Sequence, residues 1–239
     1  MARRKRSKAG KVTAVALDGL EKCYGETRAL GPLDLKIEAG ESLAIVGHNG
    51  SGKSTLLALV SGVLDPSEGE VRVFGEEPGS MPARAAISYL PDAPVLYDDL
   101  SVREHLEYVS RLHGADGDEP LLDELIERLG LEARQDELPS QFSRGLRQKT
   151  AIAVGLCRPF TVLLIDEPFV GLDAEGKQSL VDLLAEASED GATIVVATHE
   201  PLLVERLARC LVLSEGELAY DGPTGEVPEA HLPAGGPPG

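Results

Sequence analysis

A glycine-rich segment between a short apolar run and a helical pattern constrains this chain more than any other feature. The run Ser42–Val46 predicts a buried strand, and the apolar spacing over Ser54–Val63 predicts a helix. Between them lies a match to G-x-x-x-x-G-K-[ST], made of Gly47, His48, Asn49, Gly50, Ser51, Gly52, Lys53, Ser54 and Thr55. Glycines let the backbone wrap closely, so N–H groups and the helix N-terminus can cradle phosphates. We expect Lys53 to reach the β- and γ-phosphates of a nucleotide and Ser54 to give its hydroxyl to Mg²⁺.

Two adjacent acids follow a second apolar strand and supply the other half of such a site. Val162–Ile165 is fully apolar and leads directly into Asp166 and Glu167. This order places both carboxylates at the carboxyl edge of a sheet, where open α/β folds bind ligands. An acid at a strand end often marks only a solvated terminus, but the phosphate loop favours a functional interpretation. We expect Asp166 to hold Mg²⁺ and Glu167 to act on the attacking water as general base.

Strand and helix patterns alternate along most of the chain. Apolar strands such as Val162–Ile165 and Thr193–Ala197 are separated by helical segments, which implies a parallel sheet covered on both faces. From about residue 91 to 140 the pattern changes to helices, with Ser101 and Glu104 spaced as a capping box. The predicted fold class is therefore α/β with a helical insertion.

Charge and apolar content exclude several classes of protein. The chain has 239 residues, and no apolar stretch reaches the roughly 18 residues that a membrane span needs. Residues 1–11 carry six of the 23 basic side chains and no acid, so the remainder has 17 basic against 40 acidic side chains, a net charge of −23. This negative charge repels phosphates and argues against nucleic acid as a partner, although a negative charge also favours solubility. The three cysteines are scattered, which indicates a reducing cytoplasm, and no secretory signal opens the chain.

Five further motifs occur in the order found in one large family. They are Tyr24 after Lys22-Cys23, Asp92 after Tyr89-Leu90-Pro91, the segment Phe142-Ser143-Arg144-Gly145-Leu146, the triplet Gly171-Leu172-Asp173, and Thr198-His199-Glu200. With the phosphate loop and the acid pair, the chain resembles the ATP-binding cassette (ABC) ATPases over residues 12–222. The resemblance implies a P-loop NTPase fold, an ABC-type nucleotide-binding domain with a helical subdomain insertion and an N-terminal antiparallel β subdomain. Outside this range, composition predicts a basic disordered arm over 1–11 and a Pro/Gly-rich tail over 223–239.

The resemblance assigns roles to these motifs. Tyr24 would stack on adenine, and His199 would contact the γ-phosphate. Ser143 and Gly145 belong to the signature motif that closes over ATP, and Asp173 lies in the loop after the catalytic acid. Taken alone, Tyr24 is more typical of a core or surface aromatic, and His199 of a strand-edge histidine. Ser143 alone is typical of an ordinary helix N-cap.

The chain departs from the family pattern at two places. Arg144 and Leu146 replace a glycine and a glutamine of the signature, while Ser143 and Gly145 are kept. Asp92 stands where the family has a glutamine, and its carboxylate is an oxygen ligand that Mg²⁺ accepts readily. An acidic loop residue beside an F-S-x-G-L-R-Q-K signature is similar to the ATP-binding subunits of bacterial drug- and lipid-type exporters.

One phosphate loop and one signature imply a head-to-tail dimer of two copies with ATP between them. The resemblance further implies ATP and Mg²⁺ as cofactors, a separately encoded membrane permease as partner, and a position on the inner face of the cell membrane. The predicted function is therefore the ATPase subunit of an exporter. Two alternatives stay open: a soluble ABC ATPase with a non-transport partner, and a non-hydrolysing regulatory subunit.

Overall fold

The computed structural model describes residues 12–115 and 119–228. The basic arm predicted over 1–11 and most of the predicted tail therefore lie outside the described residues. No helix in the described part of the chain is both long and apolar enough to cross a bilayer.

Three antiparallel strands form a smaller sheet at the start of the chain. They pair in the order β2-β1-β4 and comprise β1 Thr13–Tyr24, β2 Thr27–Glu38 and β4 Glu68–Val73. In β2 the apolar residues Leu33, Leu35 and Ile37 are buried while Asp34 and Lys36 between them are exposed. This alternation packs one face on the core and leaves the other in water. The N-terminal antiparallel subdomain is thereby confirmed.

A six-stranded sheet forms the centre of the molecule, in the order β5-β6-β7-β3-β8-β9. Its strands are β3 Ser42–Val46, β5 Ile87–Leu90, β6 Val162–Asp166, β7 Thr193–Ala197, β8 Arg209–Ser214 and β9 Glu217–Pro223. The first five strands in this order pair in parallel, as predicted, but β9 pairs antiparallel with β8. The hairpin turns at Glu215 and Gly216, both with positive φ, and this turn returns the chain beside β8.

Seven helices lie in the described residues and cover the sheet. They are α1 Lys53–Ser61, α2 Met81–Ala86, α3 Val102–Leu112, α4 Glu119–Arg128, α5 Arg144–Leu156, α6 Ala174–Glu189 and α7 Pro201–Val204. The capping box that opens α3 is present, because the Ser101 hydroxyl accepts from the Glu104 N–H while the Glu104 carboxylate accepts from the Ser101 N–H. The α/β class of this fold follows from these layers.

The helical region shares its core with one face of the central sheet. Leu106 of α3, Leu125 of α4 and Ile152 of α5 belong to the same buried cluster as Leu163 and Val196 of the strands. Helix α5 therefore packs both on the helices before it and on the sheet.

The folded body continues past residue 222, where the sequence placed its end. Strand β9 runs to Pro223, a 3-10 turn spans Thr224–Glu226, and Val227 is buried against Val204 and Cys210. An apolar side chain one residue from the described end thus closes the core around β8.

Candidate functional site

The glycine-rich loop joins β3 to α1, as the sequence predicts. Strand β3 ends at Val46 and α1 begins at Lys53. Gly52, at the N-cap, has φ +104, a conformation that side-chain-bearing residues rarely adopt. It offers no side-chain cap, so the first N–H groups of α1 stay available to an anion.

Lys53 is folded back across the mouth of this loop. Its side chain is largely buried, and Nζ donates to the carbonyl oxygens of Gly47 at 2.7 Å and His48 at 3.3 Å. The same Nζ lies 3.9 Å from Oε1 of Glu167. The cation therefore faces both the loop and the acid pair, and a phosphate group could take the place of the two carbonyls.

The remaining loop residues divide into an exposed and a buried set. His48, Asn49, Gly50 and Ser54 are exposed, and Thr55 is half-buried. Ser51 is fully buried, and its Oγ has no hydrogen-bond partner in the described residues. The side chains of the exposed set leave the loop open on the side of α1's N-terminus.

Asp166 is a buried carboxylate with a free oxygen. It ends β6, is 2% exposed, and its Oδ1 has no hydrogen-bond partner in the described part of the chain. Burial raises the pKa of Asp166, while the nearby Ser54 hydroxyl lowers it and the charge of Asp92 raises it. An unpaired buried carboxylate beside a hydroxyl is a pair of hard oxygen donors, which suits Mg²⁺. The residues that the sequence assigned to the metal therefore fit that ion.

Glu167 lies between the side chains of His199 and Lys53. Its Oε2 lies 2.8 Å from Nδ1 of His199 and its Oε1 3.9 Å from Nζ of Lys53. Burial raises the pKa of Glu167, and the charges of His199 and Lys53 oppose that rise. The backbone is in the left-handed region, φ +46, and its N–H donates to the Ala197 carbonyl at 2.8 Å. This geometry holds the carboxylate at the strand end that faces the loop.

Asp92 follows β5 at one edge of the site. Its Oδ1 lies 3.9 Å from the Arg144 guanidinium, and both side chains are exposed. It is near enough to Asp166 to raise that residue's pKa. The contact with Arg144 was not predicted, because it joins the loop after β5 to the first residue of α5, which is distant in sequence.

The signature residues lie apart from the phosphate loop of their own chain. Ser143 caps α5, its Oγ accepting from the Leu146 N–H at 3.3 Å, as expected of an N-cap. Within residues 12–115 and 119–228, no hydrogen bond or ion pair joins Ser143 or Gly145 to residues 47–55. An ideal Cβ at Gly145 would instead fall 2.4 Å from the Gly171 carbonyl oxygen.

Asp173 caps α6 and contacts the signature helix. Its Oδ1 accepts from the Gly176 N–H at 2.8 Å and lies 3.1 Å from Nζ of Lys149. The Gly176 N–H and then Lys149 lower the pKa of Asp173. Gln148 also reaches this loop, donating from Nε2 to the Pro168 carbonyl at 3.2 Å. Neither Gln148 nor Lys149 was singled out as a site residue; only their place in the extended signature pointed to them.

Tyr24 ends β1 with its ring accessible. The side chain is half-exposed, and Nζ of Lys22 lies 5.4 Å from the ring centroid. A ring so exposed can stack on a planar base.

Comparison with known proteins gives one family. A family model described as "ABC transporter" matches residues 30–170. A thiamine import ATP-binding protein, ThiQ, from Chelativorans sp. is 37% identical over 94% of this chain and 91% of its own length. A daunorubicin resistance ATP-binding protein, DrrA3, from Streptomyces coeruleorubidus is 33% identical over 90% of this chain and 70% of its own. Import and export proteins thus both occur among the relatives.

Solved structures agree with the sequence matches. The structure of an ATP-binding subunit of an ABC transporter superposes with a TM-score of 0.83 at 30% identity, over 88% of this chain and 90% of that one. A dimeric ATP-binding cassette in a post-hydrolysis state, bound to ADP and phosphate, superposes with a TM-score of 0.81 at 28% identity, over 88% and 98%.

Proposed function

This chain belongs to the ABC transporter family of ATP-binding proteins, and we propose that it is the Mg²⁺-dependent ATPase subunit that drives an exporter. As a member it binds ATP, acts as an ATPase and serves a transporter. The direction of transport, the roles of individual residues, the metal and the membrane partner are parts of the proposal.

The observation that carries the catalytic assignment is the position of Glu167. Its carboxylate lies in a half-buried cleft between Nδ1 of His199 and Nζ of Lys53. A base with a raised pKa accepts a proton more strongly, and the charges of His199 and Lys53 act against that rise. We assign to Glu167 the proton of the attacking water, to Lys53 the β- and γ-phosphates, and to His199 the γ-phosphate.

The other ligand contacts follow from the same edge of the sheet. Asp166 and Ser54 would hold Mg²⁺, with Asp92 as a further oxygen donor near them. When bound, this ion neutralises phosphate charge as the γ-phosphate is transferred. Tyr24 would stack on the adenine through its exposed ring.

Two copies are needed for a complete site. Ser143 and Gly145 open α5 on a surface that does not contact the phosphate loop of the same chain. A second copy arranged head to tail would bring that helix N-terminus over the nucleotide, where its N–H groups can bind phosphate oxygens. The dimeric cassette among the structural neighbours supports this arrangement.

A patch of exposed apolar side chains next to Asp92 favours a protein partner on the helical region. Val95 is 93% exposed, and Tyr97 and Tyr108 are each about half-exposed, with their rings packed edge to face at 5.7 Å. Such aromatic clusters are typical of interfaces. We assign this docking patch, Val95, Tyr97 and Tyr108, to the cytoplasmic face of the permease, which places the chain on the inner face of the membrane.

Export rather than import is proposed from the residues that depart from the general pattern. Asp92 and the sequence Phe142–Lys149 are similar to those of drug- and lipid-type exporter subunits. Export proteins such as SkfE of Bacillus subtilis are also among the relatives. Reconstitution with the co-purified permease, in vesicles that expose the ATPase outward, tests the direction: cargo should accumulate inside only on addition of ATP.

The substitution Glu167→Gln tests the catalytic assignment. The amide keeps size and hydrogen bonding but cannot accept a proton, so turnover should fall by about 10²–10⁴-fold. Lys53, Ser54 and Asp166 are intact, so ATP should still bind and seal two copies. Size-exclusion chromatography with Mg-ATP should show a dimer for Glu167→Gln.

Two further variants serve as controls. Lys53→Ala should remain monomeric because it loses the phosphate contact. Ser143→Arg added to Glu167→Gln should abolish the dimer by blocking the contact across the interface. A Glu167→Gln protein that hydrolyses ATP at the wild-type rate would show that Glu167 is not the general base.

A further inference from the structure

The first two turns of α5 run along the loop that follows the catalytic acid. This loop, residues 168–173, begins directly after Glu167 and ends at the N-cap of α6. Gly145 approaches its middle so closely that an ideal Cβ would lie 2.4 Å from the Gly171 carbonyl oxygen. A side chain at position 145 would push the loop and the helix apart.

Gln148 fixes the start of the loop. Its side chain is buried, and Nε2 donates to the Pro168 carbonyl at 3.2 Å. Pro168 is the neighbour of Glu167, whose left-handed backbone is held on its other side by the bond from its N–H to Ala197. A non-glycine residue in that region is strained and persists only where its surroundings impose it.

Lys149 fixes the end of the loop. Its Nζ contacts both carboxylate oxygens of Asp173, at 3.1 and 3.2 Å, and its side chain is mostly buried. The stem also passes close to Gly176 in the first turn of α6, where an ideal Cβ would be 2.8 Å from its Cε. Phe169 and Leu172, between the two fixed ends, are buried in the core.

We infer that Gln148 and Lys149 are positioning residues that hold loop 168–173, and through it Glu167, against the helix that carries Ser143 and Gly145. The inference rests on the proposed function, in which the N-terminus of α5 closes over the partner's ATP. The N-terminus of α5, which closes over the partner's ATP, is then connected through loop 168–173 to Glu167 of its own subunit. Glu167 is correctly placed only while α5 is correctly placed.

The substitution Lys149→Met removes one tie and spares every residue assigned to ATP. A displacement of about 1 Å in a reacting group can lower a rate by about 10²-fold, so we expect kcat to fall by roughly 10- to 100-fold. KM for ATP should be unchanged, and Lys149→Met/Glu167→Gln should still form the ATP-dependent dimer. Lys149→Arg keeps a cation of similar reach and should recover most of the lost kcat.

Arg128→Met is the matched control. Arg128 also ties a helix to α6, through Glu186 at 2.5 and 2.8 Å, but far along α6 from Asp173. It should leave kcat near the wild-type value. A wild-type kcat in Lys149→Met, an equal loss in Arg128→Met, or a raised KM with a lost dimer would each overturn the inference. Failure of the proposed function is distinguishable, because wild type would then lack ATPase activity or Glu167→Gln would keep it.

Mixed dimers separate the two directions of influence. In the first mixture, a trace of Lys149→Met is combined with excess Glu167→Gln, so the active Glu167 belongs to the Lys149→Met subunit. In the second, a trace of wild type is combined with excess Lys149→Met/Glu167→Gln, so the altered subunit supplies only its signature. Relative to a trace of wild type with excess Glu167→Gln, activity should fall in the first mixture and persist in the second. The opposite pattern would show that Lys149 acts through the partner's nucleotide and would overturn the inference.

Discussion

Asp166 offers a direct test of how the candidate site is balanced between stability and ligand binding. The carboxyl group is 2% exposed, and its Oδ1 has no hydrogen-bond partner within the described residues. Burial of the charge is the main reason that its pKa is raised. Without ligand, an ionised Asp166 therefore destabilises the fold. The variant Asp166→Asn has nearly the same shape and carries no charge, so it should be more stable than wild type.

The size of the gain follows from the surroundings of the carboxyl. An unsatisfied buried polar group costs about 1–3 kcal/mol, and more when it is charged. The amide stays buried and polar, and in wild type Ser54 and Lys53 already favour the charge. We therefore expect a gain of about 1–2 kcal/mol, which for a domain of this size raises Tm by roughly 2–8 °C.

The pH dependence has a definite sign. Because the folded pKa of Asp166 is above the unfolded value, the folded state retains its proton longer as pH rises. Wild-type stability is therefore fully present below the ordinary aspartate pKa, about 3.9, and is lost as pH rises through the raised folded pKa. The Tm difference between Asp166→Asn and wild type should be largest at pH 8 and should shrink toward pH 4.

Thermal unfolding followed by circular dichroism provides the measurement, with and without Mg²⁺ and a non-hydrolysable ATP analogue. A ligand at 100 times its Kd stabilises by about 2.7 kcal/mol, so wild type should overtake the variant when both are present. Asp166→Asn should lose most of that increment. A variant that melts at or below the wild-type temperature at pH 8 without ligand, or a difference that grows toward pH 4, would refute the reasoning.

Two other predictions concern the catalytic acid and the docking patch. Because burial raises the pKa of Glu167, the acid limb of the pH profile of kcat/KM should lie above 4.5. The His199 charge lowers that pKa, so His199→Ala should move the acid limb to higher pH. An acid limb that does not move would contradict the pairing of Glu167 with His199. Val95→Asp should reduce recovery of the permease from detergent-solubilised membranes by about tenfold or more, the effect of losing one well-packed interface residue. Val63→Asp changes an apolar residue that is 68% exposed outside the patch, and it should leave recovery of the permease unchanged. Equal recovery with Val95→Asp and Val63→Asp would exclude the patch as the permease contact.

The sequence predicted those features that depend on short spacing. The capping box of Ser101 and Glu104, the apolar strands and the strand–loop–helix order around Lys53 all lie within a few residues of one another. The meeting of Lys53, Asp166 and Glu167 follows from parallel strands whose carboxyl ends share one edge. Strand β9 was not predicted, because its residues alternate only between exposed and half-buried positions. Its antiparallel direction also depends on the turn at Gly216.

Side-chain contacts between segments that are distant in sequence could not be predicted in this way. Lys149 and Asp173 are 24 residues apart, and their contact depends on how α5 packs beside α6. The Arg144 contact with Asp92 likewise requires the packing of the helical region on the sheet. The left-handed backbone of Glu167 is imposed by its neighbours, since its residue type does not favour it.

The strand order divides the site into a stiff part and an adjustable part. Lys53, Asp166, Glu167 and His199 follow β3, β6 and β7, which lie in the interior of the six-stranded sheet. Asp92 instead follows β5, which among the described strands lies at one edge of the sheet and pairs only with β6. Fluctuations that open a sheet begin at its edges, so the loop of Asp92 can shift while the other four groups keep their spacing. Val95 and Tyr97 of the docking patch lie in that same loop, so the proposed partner, pressing on them, would move Asp92 and leave Lys53, Asp166, Glu167 and His199 in place.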